Sequence, residues 1–464
     1  MDECIILLLG ATGDLAKRKI IPALYRLVSS GKLKKFLLVG AALEDITAHE
    51  MLEKALPFID DCDIRGWESF KKHVRYSPVN FTKKESFNSL ETFLEEEEKK
   101  AGLNGNRVVY CATASSFFCE ITKNLVEAKI LQSQEKGVEP WNRIIYEKPF
   151  GHDLQSAHQI NECIAHLLFE HQIYRVDHYL TKELVSNIAL IRFTNCIFEP
   201  LWNNRYIDSV QIVLSEKVCL EGRGLYYDSY GAVRDVVQNH MLELMALVAM
   251  EQPKKLTGDF IRYERAKLLK DVKAVDLCLG QYEGYQQEPG VDKNSTTETF
   301  AMAYLTVDNP RWRGVPFYLK TGKCLDKKET VVHIKFKKVD CLLTKGCPQD
   351  SNYLTIQVAP EAGFSLTLNV KQPNKLYEVV PVNMEFCHSC LFENQEAEAY
   401  EILLEEVIAG EESVSVRFDE IEYAWKVSDA LRKLNAPIYP YKKGSIGPTE
   451  CNIFAKKHGM RWKS

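Results

Sequence analysis

The first forty residues constrain the fold most tightly. Ile5-Ile6-Leu7-Leu8-Leu9 is a continuous apolar run that ends in Gly10-Ala11-Thr12-Gly13-Asp14-Leu15-Ala16. A basic stretch follows from Lys17 to Leu27, with Ile20, Ile21, Leu24 and Leu27 at helical spacing. Ser29-Ser30-Gly31 ends it, and Phe36-Leu37-Leu38-Val39-Gly40 reads as a second buried strand. Strand, glycine turn, helix and parallel strand make the first unit of a dinucleotide-binding fold. At such a turn the glycines let backbone N–H groups approach a pyrophosphate, and the helix N-terminus adds partial positive charge. The spacing is G-x-x-G-x-x-A rather than G-x-G-x-x-G, with Ala16 as the small residue packing helix on strand.

Further buried strands fit Arg107 to Ala112 and Asn142 to Tyr146, the latter closed by Glu147-Lys148-Pro149-Phe150-Gly151. A lysine at the C-terminal end of a parallel strand faces the crevice where such sheets bind ligands, and the following proline restricts its backbone to extended conformations. Ahead of these strands, Ser77 to Leu103 reads as a strand end and a surface helix. Glu95–Lys99 and Glu96–Lys100 pairs would make its charged run a solvated face. A helix from Leu154 to Phe169 leads to Arg175-Val176-Asp177-His178-Tyr179-Leu180-Thr181-Lys182-Glu183, a dense set of acids, bases and donors.

Beyond that stretch the pattern changes. Ser209–Leu214, Ala301–Val307, Val331–Phe336, Leu354–Val358 and Ser365–Val370 are short β-rich pieces, which suggests an antiparallel sheet with a few helices beside it. The longest of those helices spans Val236 to Met250, with His240 near its start. At 464 residues the chain exceeds what one core usually fills. The division expected is a dinucleotide-binding domain over 1–176 and a β+α domain over 177–464.

A net charge of −5 offers no basic field for nucleic acid. The first apolar run is too short for a membrane span and lacks a basic leader. Fourteen cysteines are scattered without a pairing pattern, and Cys387-His388-Ser389-Cys390 has no second pair at metal-site spacing. Reduced thiols, no metal and a cytoplasmic enzyme are therefore expected.

The chain resembles the glucose-6-phosphate dehydrogenase family over nearly its whole length. The resemblance rests on Gly10 to Lys17, Glu147 to Gly151, Arg175 to Glu183, Glu221-Gly222-Arg223-Gly224, Arg234 to His240, Gly314-Val315-Pro316-Phe317, Thr321-Gly322-Lys323 and Gly444 to Glu450, in that order. It implies a Rossmann-like α/β coenzyme domain followed by an α+β domain with a large, mainly antiparallel sheet. It implies oxidation of β-D-glucose 6-phosphate to 6-phosphoglucono-1,5-lactone with NADP, at the entry to the oxidative pentose phosphate pathway. Homodimers or homotetramers would form through the sheet.

By the same resemblance His240 is the base, Asp177 orients it, and Lys148 contacts both sugar and nicotinamide. His178, Tyr179 and Lys182 would hold the phosphate. Glu216, Asp235, Lys323 and, more loosely, Lys328 would serve the sugar. Gly10, Ala11, Thr12, Gly13, Asp14 and Leu15 would line the coenzyme. Physically, a neutral imidazole accepts a proton well when a carboxylate fixes its other nitrogen.

Three departures stand out. Thr181 replaces a glycine of the signature. Leu43 takes the place of the arginine that meets the NADP 2′-phosphate, and Glu44 follows; an acid beside the ribose favours a 2′-hydroxyl, so NAD becomes an alternative coenzyme. Lys17, Arg18 or Lys19 could supply the missing cation. Finally, Glu329, His333, Gln357 and Lys443 stand where some eukaryotic members bind a second, structural NADP, which is expected to be weak or absent. A non-catalytic homologue binding sugar phosphate or nucleotide, and a secretory hexose-6-phosphate dehydrogenase, are the competing readings.

Overall fold

The structure is a computed structural model that describes residues 1–60, 62–177, 179–181, 183–338, 351–375, 378–387 and 398–463. It forms two compact units. The first comprises Met1–Thr181, Pro253–Tyr263 and Glu396–Glu422. Its strands are β1 (Cys4–Leu9), β2 (Phe36–Ala42), β3 (Val74–Pro78), β4 (Arg107–Cys111), β5 (Asn142–Tyr146) and β6 (Ile173–Arg175). They form one sheet in the order β3-β2-β1-β4-β5-β6, parallel throughout. This is the doubly wound dinucleotide order.

Its central strands are apolar on both faces because helices cover both sides. Every residue of β1 and β2 is buried. The core joins Ile6, Leu8, Leu38, Val108 and Tyr110 to Ile20 and Leu24 of the first helical segment and to Leu403, Leu404, Val407 and Ile408. The last four form one stripe of the helix Ala399–Ala409, at i, i+1, i+4, i+5 spacing. Arg143 caps that helix, donating to the carbonyls of Val407 at 2.7 Å and Ile408 at 2.6 Å.

The helix Lys84–Ala101 corrects one expectation. Its acidic run is not a uniformly solvated face. Glu97 is buried and binds Arg75 and Lys100, each at 2.7 Å, whereas Lys100 lies 3.9 Å from Glu96. An i,i+3 pair anchored by a cross-element arginine outcompetes the i,i+4 pair.

The second unit comprises Lys182–Gln252, Glu264–Gln395 and Tyr423–Ser464. Nine strands form its sheet: β7 (Ile207–Ser215), β8 (Val272–Tyr282), β9 (Phe300–Val307), β10 (Pro316–Gly322), β11 (Glu329–Phe336), β12 (Tyr353–Ala359), β13 (Gly363–Lys371), β14 (Val379–Cys387) and β15 (Ile438–Tyr441). The order is β14-β13-β12-β11-β7-β10-β9-β8-β15. It is mainly antiparallel, but β7 with β10 and β8 with β15 are parallel pairs.

The helix expected over Val236–Met250 is also corrected. A first segment, Gly224–Ala232, breaks at Gly231, whose φ of +72° and ψ of 174° are open only to glycine. A Cβ there would meet the Glu298 carboxylate at 2.5 Å. Wide i→i+5 turns then run from Val233 to Met241, and ordinary α-helix from Leu242 to Ala249. His240 therefore sits well inside a helical run rather than at its start. Such wide turns concentrate at functional positions.

The C-terminal end of this helix is buried, so its free carbonyls need donors. Trp202 Nε1 donates to Val248 and Trp312 Nε1 to Ala249, each at 2.7 Å, and Arg192 donates to Val248 and Met250. Trp312→Phe keeps an aromatic body but orphans a buried carbonyl. It is expected to lower unfolding free energy by about 1–3 kcal/mol, read from the urea midpoint, with turnover at saturation nearly unchanged.

The expectation of reduced thiols fails for five of the described cysteines, Cys387 among them. Cys119 is joined to Cys163 and Cys219 to Cys324 as disulfides. Their partners lie 44 and 105 residues apart, separations that no local spacing rule reveals. His388, Ser389 and Cys390 lie outside the described residues.

Candidate active site

The residues expected to line the coenzyme belong to the first unit. β1 is flanked by β2 and β4, where the strand order reverses and the crevice of a parallel sheet opens. Gly10 follows β1 with φ of +82°, and a Cβ there would stand 2.5 Å from the Ala112 carbonyl oxygen. Only glycine fits so close to that backbone. Gly13 N–H closes the turn on the Gly10 carbonyl at 2.9 Å. This cradle fits a dinucleotide pyrophosphate.

The ribose side carries an acid. Leu43, just past β2, is 69% exposed. Glu44 Oε2 accepts from Thr12 Oγ1 at 2.9 Å, and its carbonyl accepts from the Tyr76 hydroxyl at 2.6 Å. Burial, with Glu44 and Asp45 nearby, pushes the Tyr76 phenol up to about 12, so it stays a donor. The three candidate cations are engaged by carboxylates. Lys17 and Arg18 reach Asp14 at 3.0 and 2.9 Å, and Lys19 lies 3.8 Å from Glu398.

Lys148 follows β5 and is half-buried. Beside it, Glu147 accepts from the Tyr110 hydroxyl at 2.5 Å. Burial raises the Glu147 carboxyl despite that bond; Lys148 and Asp177 are both near enough to act on it, with opposite signs. Asp177 is 3% exposed and follows β6. Its Oδ1 accepts from Tyr179 N–H and its carbonyl from Leu180 N–H, each at 2.9 Å, a turn typical of aspartate. Thr181 is buried. Among the described residues the non-glycine positions with positive φ are Lys129, Glu221, Cys324, Asn374 and Asn435. Thr181 is not one of them, so a β-branched residue replaces glycine there without left-handed strain. His178 and Lys182 lie outside the described residues.

The residues expected to serve the sugar belong to the second unit. Glu216 and Lys323 directly follow β7 and β10, whose register ends with Ser215 opposite Gly322. Lys323 is 3% exposed, and its ammonium donates to the Glu216 carboxylate. The same ammonium lies 5.0 Å from the centre of the Tyr227 ring. Tyr227 is buried, and its hydroxyl has no hydrogen-bond partner among the described residues. Burial holds that phenol well above its ordinary range, and Asp235 and Glu216 both add to the effect. Asp235 also accepts from Tyr226. His240 is buried in the wide turns five residues after Asp235. Lys328 stands apart, exposed before β11.

The structure thus gathers Glu216, Lys323 and Asp235 around Tyr227. Sequence reasoning missed the tyrosines: Tyr76 under Glu44, Tyr110 and Tyr400 on Glu147, and Tyr226 and Tyr227 beside Asp235. The last two stand two and three residues after the quoted Glu221-Gly222-Arg223-Gly224 and could have been found there.

A family profile described as "Glucose-6-phosphate dehydrogenase, NAD binding domain" matches residues 7–187, and its C-terminal domain profile matches residues 189–463. Glucose-6-phosphate 1-dehydrogenase of Chlamydia muridarum is 37% identical across 99% of this chain and 97% of its own length. The Arabidopsis thaliana protein named glucose-6-phosphate 1-dehydrogenase 5, cytoplasmic, is 38% identical across 98% and 93%. A solved glucose-6-phosphate dehydrogenase in complex with its substrate glucose 6-phosphate superposes with a TM-score of 0.91 at 32% identity, covering 100% of this chain and 99% of that one.

Proposed function

The chain belongs to the glucose-6-phosphate dehydrogenase family, and on that premise we propose how its own residues oxidise β-D-glucose 6-phosphate to 6-phosphoglucono-1,5-lactone. The bound dinucleotide supplies the acceptor for the C1 hydride. His240 takes the O1 proton as C1 is oxidised, and Asp177 fixes the imidazole and stabilises its charged form. Lys148 contacts sugar and nicotinamide. Lys323 and Glu216 meet the sugar as a charge-neutral pair that offers both donors and acceptors, with Asp235 beside them and Lys328 at the margin. His178, Tyr179 and Lys182 hold the phosphate; a compact ammonium with flanking donors suits a dianion.

The observation that carries this reading is the buried Lys323 ammonium on Glu216 at the paired ends of β7 and β10. A buried cation paired so close to a strand end is costly to keep without a polar ligand. Initial rates with glucose 6-phosphate and each nicotinamide coenzyme, followed by absorbance of the reduced ring, test it. Absence of turnover with either coenzyme would sink it and favour a binding homologue.

NADP is the coenzyme the family resemblance implies. A second reading, NAD as an equal or main coenzyme, draws support from the Thr12–Glu44 hydrogen bond. A cytoplasmic location and a homodimer or homotetramer built on the nine-stranded sheet complete the proposal. Val370, Val382 and Met384 leave apolar surface at the β13–β14 edge. No helix among the described residues is long and apolar enough to cross a membrane.

A second, structural NADP site finds little support. Glu329 pairs with Lys327 at 2.8 Å, Gln357 donates to the Ala359 carbonyl, and Lys443 lies 3.3 Å from Glu288. His333, held by Thr355 at 3.0 Å, has its pKa lowered to about 4 by burial, then by Lys463 and Lys327. At neutral pH it brings no charge to a nucleotide. Between that value and the ordinary ~6.5 the unfolded chain binds more protons than the native one, so stability rises with pH through this window. As pH falls through it, His333→Gln is expected to lose less stability than the parent, read as urea midpoints at successive pH values.

A further inference from the structure

Two cysteines outside the catalytic reading sit beside the residues assigned to the sugar. Past the β7–β10 register the two chains remain tied. Glu216 N–H donates to Gly322 and Leu325 N–H to Glu216, each at 2.9 Å, and Cys324 N–H donates to Val218 at 3.1 Å. Cys219, three residues after Glu216, and Cys324, directly after Lys323, are joined as a disulfide with Cα atoms 4.8 Å apart. Cys324 is 2% exposed and has φ of +53°. A residue with a Cβ keeps that left-handed conformation only where its surroundings hold it. Its carbonyl accepts from Gly444 N–H and the Lys323 carbonyl accepts from the Tyr441 hydroxyl, each at 2.7 Å. The disulfide closes the remaining side of this frame.

We propose that the Cys219–Cys324 disulfide is a positioning element for the Lys323–Glu216 pair, and that its reduction by a dithiol weakens use of glucose 6-phosphate. The inference rests on the reading that Lys323 and Glu216 face the sugar. Reduction breaks the Sγ–Sγ bond. The dithiol delivers two electrons and two protons, becomes a ring disulfide, and leaves two thiols. Cys219 is half-buried whereas Cys324 is buried, so thiolate attack falls on the Cys219 sulfur. Once cut, Cys324 is free to leave its left-handed conformation, and the Lys323 backbone moves with it. A small misplacement of a binding group costs rate and affinity out of proportion to its size.

Two other cysteine pairs and the disulfide-bonded Cys387 must be told apart in any test. Cys119–Cys163 belongs to the coenzyme unit, and the Cys278 and Cys451 sulfurs lie 3.5 Å apart without a bond. The experiment treats the full chain with dithiothreitol, quenches with iodoacetamide, assigns alkylated cysteines by peptide mass, and measures rates at saturating coenzyme. Reduction at Cys219 and Cys324 is expected to raise KM for glucose 6-phosphate about tenfold while KM for the coenzyme stays within about twofold. Cys219→Ser should show the raised KM from the start and ignore the dithiol. Cys119→Ser should respond like the parent.

The proposal is overturned if both cysteines are alkylated in untreated enzyme, if KM is unchanged after their reduction, or if both KM values rise together. The comparison of oxidised and reduced parent stands even where Cys219→Ser fails to fold. Absence of turnover in both states overturns the proposed function, and this inference with it.

Discussion

His240→Asn is expected to lower kcat for glucose 6-phosphate oxidation by about 10²–10⁴-fold, the usual contribution of a positioned general base. Substrate Kd should change by no more than about threefold, because the imidazole is needed when the O1 proton leaves rather than when the sugar docks. His240 is 4% exposed, inside the wide turns that end at Met241. The helix that follows is clamped at its far end by Trp202, Trp312 and Arg192. Asparagine is smaller and remains polar, so the substitution leaves no orphaned charge. Calorimetric titration with glucose 6-phosphate separates binding from turnover. The acid limb of the parent's pH–rate profile, where protonation removes the base, should vanish in the variant. A kcat within tenfold of the parent, or binding lost in step with turnover, removes His240 from the base role.

What was readable in the sequence follows from how local each signal is. β1, the Gly10 turn and β2 are contiguous, and continuous apolar strands with a glycine turn have few other solutions, so the parallel sheet could be read directly. The parallel β7–β10 and β8–β15 pairs could not, because pairing between distant strands leaves no periodic mark. Nor could the break at Gly231: it exists because the Glu298 carboxylate, 67 residues away, occupies the space of a side chain and accepts from Val233 N–H at 3.0 Å. The short motifs that carry the candidate residues were legible; the side chains that support them were not. Tyr76 holds Glu44 from β3, and the disulfide that frames Lys323 joins cysteines 105 residues apart.

Replacing Glu44 should produce the largest change in coenzyme choice. On the second reading the parent uses NAD with kcat/KM equal to or above that for NADP, and Glu44→Arg shifts the ratio toward NADP by about 100-fold. Glu44 is exposed, so its repulsion of a phosphate is softened by water, to about 1 kcal/mol per pair of unit charges at contact. A 2′-phosphate carries nearly two charges, and the carboxylate also loses a charge-assisted hydrogen bond to the 2′-hydroxyl, about 1.5–3 kcal/mol. The sum, about 3–5 kcal/mol, is reduced by the mobility of an exposed side chain, which the Thr12 hydroxyl partly restrains. The local cations offset it only in part: Lys17 and Arg18 share the single Asp14 carboxylate, and Leu43 brings no charge. Thr12→Val should move the ratio in the same direction by less, since it frees the carboxylate without removing it. Initial rates with both coenzymes at fixed glucose 6-phosphate decide the matter. A parent that prefers NADP several hundredfold, or a Glu44→Arg ratio within about threefold of the parent's, would show that another cation meets the phosphate and that Glu44 only anchors the turn.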